Sequence, residues 1–289
     1  MDSLKYQDGG SKVPTTDGAQ STRSNLDRDK ILTTQEISGT LKTFDPASMA
    51  PNTCFLVQGF RRQGKTILVQ DLIHNYRKKH KVDLVMLISK SNAGFPQIPQ
   101  KYRFRNLNAL QQLVDTQLRV KKTNMKRKKD FIQSNVIVIV DDFLDGTHNS
   151  VRSSNLVTKL ATLGRHLSHE NNSNLLTFFL SQHLTGLSPM IRRNMDYVAT
   201  FKVASRDERK LIMSEFLCLN SGRQGLTEAA RVFDIVNEQD FQALIINTTC
   251  SNKYNYSDYV FKYKANPDLP EEHWNGTKED WDVPFAVYF

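Results

Sequence analysis

The chain has 289 residues, a formal net charge of +9 and a hydrophobic share of 39%. That length fits one or two domains, the apolar share suffices for a buried core, and the positive balance favours polyanionic partners such as nucleotides or nucleic acid. Three widely separated cysteines (Cys54, Cys218, Cys250) argue against a disulfide framework or a zinc site. No apolar run approaches membrane-spanning length and no signal-peptide core opens the chain, so the expectation is a soluble intracellular protein.

Residues 1–28 are polar, with almost no apolar spacing, and read as a flexible tail. The domain is expected over 29–266, followed by an acidic, aromatic tail over 267–289. Between Lys30 and Phe44, sparse apolar positions (Ile31, Ile37, Leu41, Phe44) suit a segment that clips onto the domain edge. Pro46 and Pro51 interrupt the chain before a short apolar strand, Cys54–Val57. Next comes Gly59-Phe60-Arg61-Arg62-Gln63-Gly64-Lys65-Thr66, which fits the phosphate-loop pattern G-x-x-x-x-G-K-[ST] and opens an amphipathic helix (Ile67, Leu68, Leu72, Ile73, Tyr76). Backbone N–H groups of such a loop wrap a β-phosphate, and the following helix presents the positive end of its dipole. Lys65 is placed to reach the β- and γ-phosphates and Thr66 to hold Mg²⁺.

Val82–Ser89 is a near-continuous apolar run, as expected of a strand buried on both faces. A loop rich in Gly and Pro follows at 93–100, then helical spacing over 107–120. The run Lys121–Lys129 holds most of the local positive charge. It is either a solvated helix end or a contact for the phosphate backbone of nucleic acid, and it lacks the interleaved aromatics of a single-strand platform. Val136–Val140 is an unbroken β-branched run that ends in Asp141-Asp142. Ligands of open α/β sheets bind at the carboxyl ends of strands. Asp141 is therefore the candidate Mg²⁺ ligand and Asp142 the candidate group that orients and polarises the attacking water. A helix over 155–168 carries Arg165 and His166, and the buried strand Asn174–Leu180 delivers Gln182, a candidate γ-phosphate sensor. Ser188 and Pro189 read as N-cap and first residue of a short helix through Arg192 and Arg193. Strands are expected at Tyr197–Val203, Phe241–Thr248 and Tyr259–Tyr263, with helices over 207–219 and 229–236.

In this order the pieces GFRRQGKT, VIVIVDD, GRHLS, LLTFFLSQ and MIRRN…YVATFK resemble the viral genome-packaging ATPases of the poxvirus type, a group also found in other large DNA viruses, virophages and Maverick/Polinton elements within the FtsK/HerA superfamily. The resemblance spans about Asn52 to Glu215. It implies an α/β P-loop NTPase sandwich of three layers, with a mainly parallel central sheet extended by C-terminal strands and with the Gln182 strand between the phosphate-loop and Walker B strands. It also implies ATP and Mg²⁺ as cofactors, double-stranded DNA as partner, a ring of subunits, and a capsid or portal protein at the site of virus assembly in the host cell or in the virion. Arg165 is then the leading candidate for a finger entering the neighbouring subunit's site, with Arg192 and Arg193 as alternatives. Phe60-Arg61-Arg62-Gln63 is bulkier than the small residues common in such loops, which leaves Arg61 and Arg62 either on phosphate or in solvent. A cellular DNA pump or helicase of the same superfamily is the runner-up. A nucleotide or small-molecule kinase and a non-hydrolysing scaffold are the readings from other classes.

Overall fold

In the computed structural model the described residues are 33–91, 94–141, 155–167, 173–217, 223–251, 253, 255–270, 272 and 274. The expected tail at 1–28 and most of the expected C-terminal tail lie outside them.

A nine-stranded sheet organises the domain, and its strands run in chain order β1 (Lys42–Thr43), β2 (Cys54–Gln58), β3 (Leu84–Ser89), β4 (Arg103–Phe104), β5 (Ser134–Asp141), β6 (Ser173–Ser181), β7 (Tyr197–Thr200), β8 (Gln242–Asn247) and β9 (Val260–Lys264). Their spatial order is β1-β9-β8-β7-β2-β6-β5-β3-β4, and every neighbouring pair is parallel except the two made by β8. The strand leading into Gln182 thus lies between the phosphate-loop strand and the strand ending at Asp141. The two apolar runs near the C-terminus, β8 and β9, pair antiparallel and extend the sheet. At its edge β1 adds in parallel to β9, so the segment after residue 30 does clip onto the domain.

The central strands are apolar on both faces because helices cover both sides. In β5, Asn135–Val140 are all buried, and in β6 every residue from Ser173 to Ser181 is buried. Apolar character alone specifies register weakly in such strands, since a slip exposes nothing new. A polar ladder at the amino edge supplies what the apolar side chains do not. Asp83 Oδ2 accepts from Asn135 N (2.8 Å) and Asn135 Nδ2 (3.0 Å), and Asn135 Oδ1 accepts from Asn174 Nδ2 (2.7 Å). The register it locks runs from Ser134 opposite Ser173 to Asp141 opposite Leu180.

Helix α1 (Thr34–Thr40) starts from a capping box between Thr33 and Glu36, and α2 (Lys65–Arg77) buries Leu68, Val69, Leu72, Ile73 and Tyr76 against the sheet. The long α3 (Asn108–Asn124) turns Leu110, Leu113 and Val114 inward and carries Lys121 and Lys122 in its last turn. Beyond it Lys126, Arg127, Lys128 and Lys129 are exposed, while buried Asn124 bonds both the N–H and the carbonyl of Ile132 (2.9 Å each) and closes the loop. The helix expected over 155–168 is shorter, α4 (Asn155–Leu163), and tightens into the 3₁₀ turn Gly164–Leu167. Next, α5 (Pro189–Arg193) is capped by Ser188, whose hydroxyl accepts from Ile191 N. The helix expected over 207–219 begins as α6 (Arg206–Ile212) and continues as a π-helical turn, Met213–Leu217. Then α7 (Arg223–Asp234) starts earlier than the expected 229. Trp274, from the expected tail, is buried near Phe95, and its backbone N–H donates to the Gln97 carbonyl at 3.2 Å. Among the described residues no helix is long and apolar enough to cross a membrane.

Candidate functional site

The phosphate loop leaves the carboxyl end of β2, where Gly59 N donates to Ser181 O at 3.1 Å and so continues the ladder with β6. Gly59 has no room for a side chain. A β-carbon there would lie 2.9 Å from both the Gln63 Oε1 and the Phe201 ring. Gln63 staples the loop, accepting from Phe60 N at 2.7 Å and donating to the Lys202 carbonyl. Two residues take left-handed backbone, Arg62 (φ 62°) and Gly64 (φ 95°), and the second of these turns the chain into α2 at Lys65. Lys65 Nζ rests on the loop's own carbonyls, Gly59 O at 2.6 Å and Phe60 O at 3.1 Å. An ammonium held at the mouth of a loop that opens a 13-residue helix is placed to meet polyphosphate, so the residues present fit a nucleoside triphosphate.

Arg61 and Arg62 are exposed, and Arg62 lines the adjoining cavity. Thr66 follows Lys65 in the first helical turn. Gly94, with φ 74°, comes so close that a β-carbon on it would lie 3.0 Å from Thr66 Cγ2. Gly94 therefore passes close beside the Thr66 side chain, with no room there for a β-carbon.

Asp141 is the last residue of β5, opposite Leu180 of β6 and Ser89 of β3, while Gln58 at the end of β2 lies opposite Ser181. Neighbouring strands are about 4.8 Å apart, so Asp141 stands two strands, roughly 10 Å, from the root of the loop. Its carboxylate and the Thr66 hydroxyl are oxygen donors of the kind Mg²⁺ prefers. Asp142 lies outside the described residues. Gln182, half-buried, follows β6 directly, and the turn it enters is held by Ser181 Oγ, which donates to His183 O at 2.9 Å. The His183 ring meets Phe60 edge-on at 5.7 Å, linking that turn to the phosphate loop.

The three arginines are at the other edge of the sheet. Arg165 falls in the 3₁₀ turn whose Gly164 faces Cys54 at the start of β2, and its side chain lies outside the described residues. Arg193 is exposed, just ahead of Asp196, whose Oδ2 accepts from Cys54 N at 2.7 Å. Arg192 differs from the expectation of a free finger. It is buried, makes a two-pronged pair with Glu215 (Nε 2.8 Å, Nη2 2.7 Å), and donates through Nη1 to the carbonyls of Leu184 and Leu187. A guanidinium consumed by these acceptors clamps its own chain.

Sequence reasoning missed the wall of the site. A cavity of about 450 Å³ adjoins Lys65 and Thr66 and is closed by Ile67, Phe201, Phe241, Ala265 and Pro267. Asp71 of α2 braces this side. It is buried and accepts from Tyr263 OH (2.8 Å), Asn266 N (3.1 Å) and Asn75 Nδ2 (2.8 Å). Burial first, and then the Asp71 bond, push the Tyr263 phenol far above its usual range. At the base of the loop Gln58 Oε1 accepts from Thr200 Oγ1 at 2.9 Å, while its buried Nε2 has no partner among the described residues. No local pattern announces these residues; an isolated polar residue closing an apolar strand is the nearest thing to a signal.

No protein-family model and no curated protein sequence matches the chain. Solved structures do. The genome packaging NTPase B204 of Sulfolobus turreted icosahedral virus 2, in complex with sulfate, aligns with a TM-score of 0.52 at 14% identity, over 75% of this chain and 98% of that one. The same NTPase in complex with AMPPCP aligns with a TM-score of 0.50 at 15% identity, over 75% of this chain and 100% of that one. The three-dimensional likeness falls on proteins of the group that the motifs resemble, and by its fold the chain is similar to a viral genome packaging NTPase.

Proposed function

We propose that the chain is an ATP-hydrolysing motor subunit that drives double-stranded viral DNA into a capsid. The observation that carries the reading is the order at the carboxyl edge: the Lys65 loop on β2, Asp141 on β5, and the Gln182 strand between them. Lys65 and the loop amides bind and orient the phosphates, with Gly59, Phe60, Arg61, Arg62, Gln63 and Gly64 forming the cradle. Thr66 and Asp141 would hold Mg²⁺, which would neutralise phosphate charge when bound. Asp142 orients the attacking water, and Gln182 senses the γ-phosphate through the turn that touches Phe60.

A trans arginine is supported by placement. The turn that holds Arg165 and the helix end that holds Arg193 lie at the sheet edge away from their own loop, which suits a contact with a neighbouring subunit. With Arg192 engaged by Glu215, these two are the fingers of the proposed ring. The exposed basic loop over 126–129 is the proposed DNA-backbone contact. The proposed setting is the host cell at the site of virus assembly, with a capsid or portal protein as further partner.

The test is steady-state hydrolysis by purified protein with no DNA, duplex DNA and single-stranded DNA. Duplex-stimulated turnover that Lys65→Ala abolishes is expected. Hydrolysis that no DNA stimulates removes the motor, and turnover unchanged by Lys65→Ala removes the site.

A further inference from the structure

Phe241 is the least comfortable large residue in the described fold. The residue is 62% exposed, and its backbone takes the left-handed conformation (φ 60°) that a bulky side chain adopts only under constraint. Both features are unfavourable for a residue with a merely structural role, and strain of this kind concentrates at binding sites. The ring stands over the phosphate loop, where a β-carbon on Gly64 would lie 3.4 Å from Phe241 and 3.9 Å from Phe201. Both rings face the 450 Å³ cavity beside Lys65, with Ile67, Ala265 and Pro267 as its further apolar wall. A volume of that size suits a base with its ribose.

The described lining residues include no carboxylate and no side-chain amide. Besides Lys65 and Thr66, their polar side chains are the exposed cations Arg62 and Lys264. Adenine and guanine differ by exchange of donor and acceptor on one edge, and strong discrimination needs buried polar groups that match one and mismatch the other. Aromatic plates grip any base face and favour the larger ring system.

We propose that Phe241 is a stacking plate that makes this a purine-general site, selecting bases by ring area with little distinction between ATP and GTP. The proposal rests on the reading of the Lys65 loop as a triphosphate site and extends it to the choice of base. The experiment is competition binding of ATP, GTP, CTP, UTP and base-free tripolyphosphate to wild type, Phe241→Gly and Phe241→Trp. ATP and GTP are expected within tenfold of each other, with the pyrimidine nucleotides weaker than both. Phe241→Gly, which relieves the backbone, is expected to melt no lower than wild type and to bind both purine triphosphates about tenfold more weakly, with tripolyphosphate affinity unchanged. Phe241→Trp, which keeps a plate, is expected to retain purine affinity. A preference above tenfold for one purine, undiminished purine binding by Phe241→Gly, or a Trp variant as weak as the Gly variant overturns the proposal alone. Wild-type protein that binds neither triphosphates nor tripolyphosphate overturns the triphosphate reading and the proposal with it.

Discussion

Asn174 Nδ2 donates to Asn135 Oδ1 at 2.7 Å, at the sheet edge opposite the candidate site. Through Asp83 this bond joins β3, β5 and β6, and it sets which residue of β6 faces Asp141. The apolar strands between tolerate a slip, whereas the polar ladder does not. Asn135→Val keeps strand propensity and the backbone bond to the exposed Asp83, but leaves the buried Asn174 amide without its acceptor. We expect a loss of about 1–3 kcal/mol in urea unfolding, the cost of one buried partner left unpaired. A loss under about 0.5 kcal/mol would show that the ladder does not hold the register.

Arg192 and Glu215 form a part-buried pair, with side chains 9% and 26% exposed. Breaking such a pair from one side leaves an uncompensated charge, at a cost of about 3 kcal/mol. Arg192→Ala is therefore expected to lower the denaturant midpoint strongly, and Arg193→Ala hardly at all. In hydrolysis assays with mixed subunits, Arg193→Ala protein is expected to depress the activity of wild-type neighbours. Equal stability of the two single variants would return Arg192 to the finger candidates.

Elements carried by one continuous segment were legible in the sequence. Gly59–Thr66 announces its turn through glycine and its ligand through Lys65, and the β-branched run before Asp141 allows little but a central strand. Sites assembled from distant segments were not. The cavity wall joins Phe201, Phe241 and Pro267 because β8, running against its neighbours, starts at the loop edge and β9 brings the chain back to it. Likewise, the role of Arg192 depends on a π-helical turn that carries Glu215 to it, and no local pattern signals that turn. The aromatic tail gave no periodicity to say where Trp274 would dock; it is buried, and its contacts lie on a loop far away in sequence.

Two phenols should make the fold alkali-sensitive. Burial raises Tyr76 and Tyr263 well above the ordinary tyrosine value of 10.0, with the Asp71 bond adding to the rise at Tyr263. Above about pH 10 the unfolded chain releases these protons while the folded chain keeps them, so unfolding gains and stability falls with rising pH. Below that value the full contribution is present. Tyr76→Phe, whose ring still stacks on His80, removes one titration. Urea unfolding between pH 8 and 11 is expected to fall less steeply for Tyr76→Phe than for wild type, and parallel curves would refute the assignment.

The loop from Gly94 to Gln100 lies between Trp274 and Thr66. Trp274 is 1% exposed with its ring 6.5 Å from Phe95, and Arg103 Nη2 donates to the Phe95 carbonyl at 2.7 Å. Phe95 and Gly94 both take left-handed backbone, and Gly94 abuts the Thr66 methyl. Gly94→Ala adds a β-carbon 3.0 Å from that methyl and places a side chain where φ is 74°, a conformation that costs about 1–2 kcal/mol. The strain falls on the residue proposed to hold Mg²⁺, so triphosphate affinity measured with Mg²⁺ is expected to drop more than affinity measured with chelator. Trp274→Ala acts through the same loop from its far side, leaving a cavity worth about 3–5 kcal/mol. It should lower the melting temperature further than Gly94→Ala does, and the same selective loss of Mg²⁺-dependent binding is expected. A Trp274→Ala protein with reduced stability but an unchanged Mg²⁺ dependence would confine the tail to a packing role.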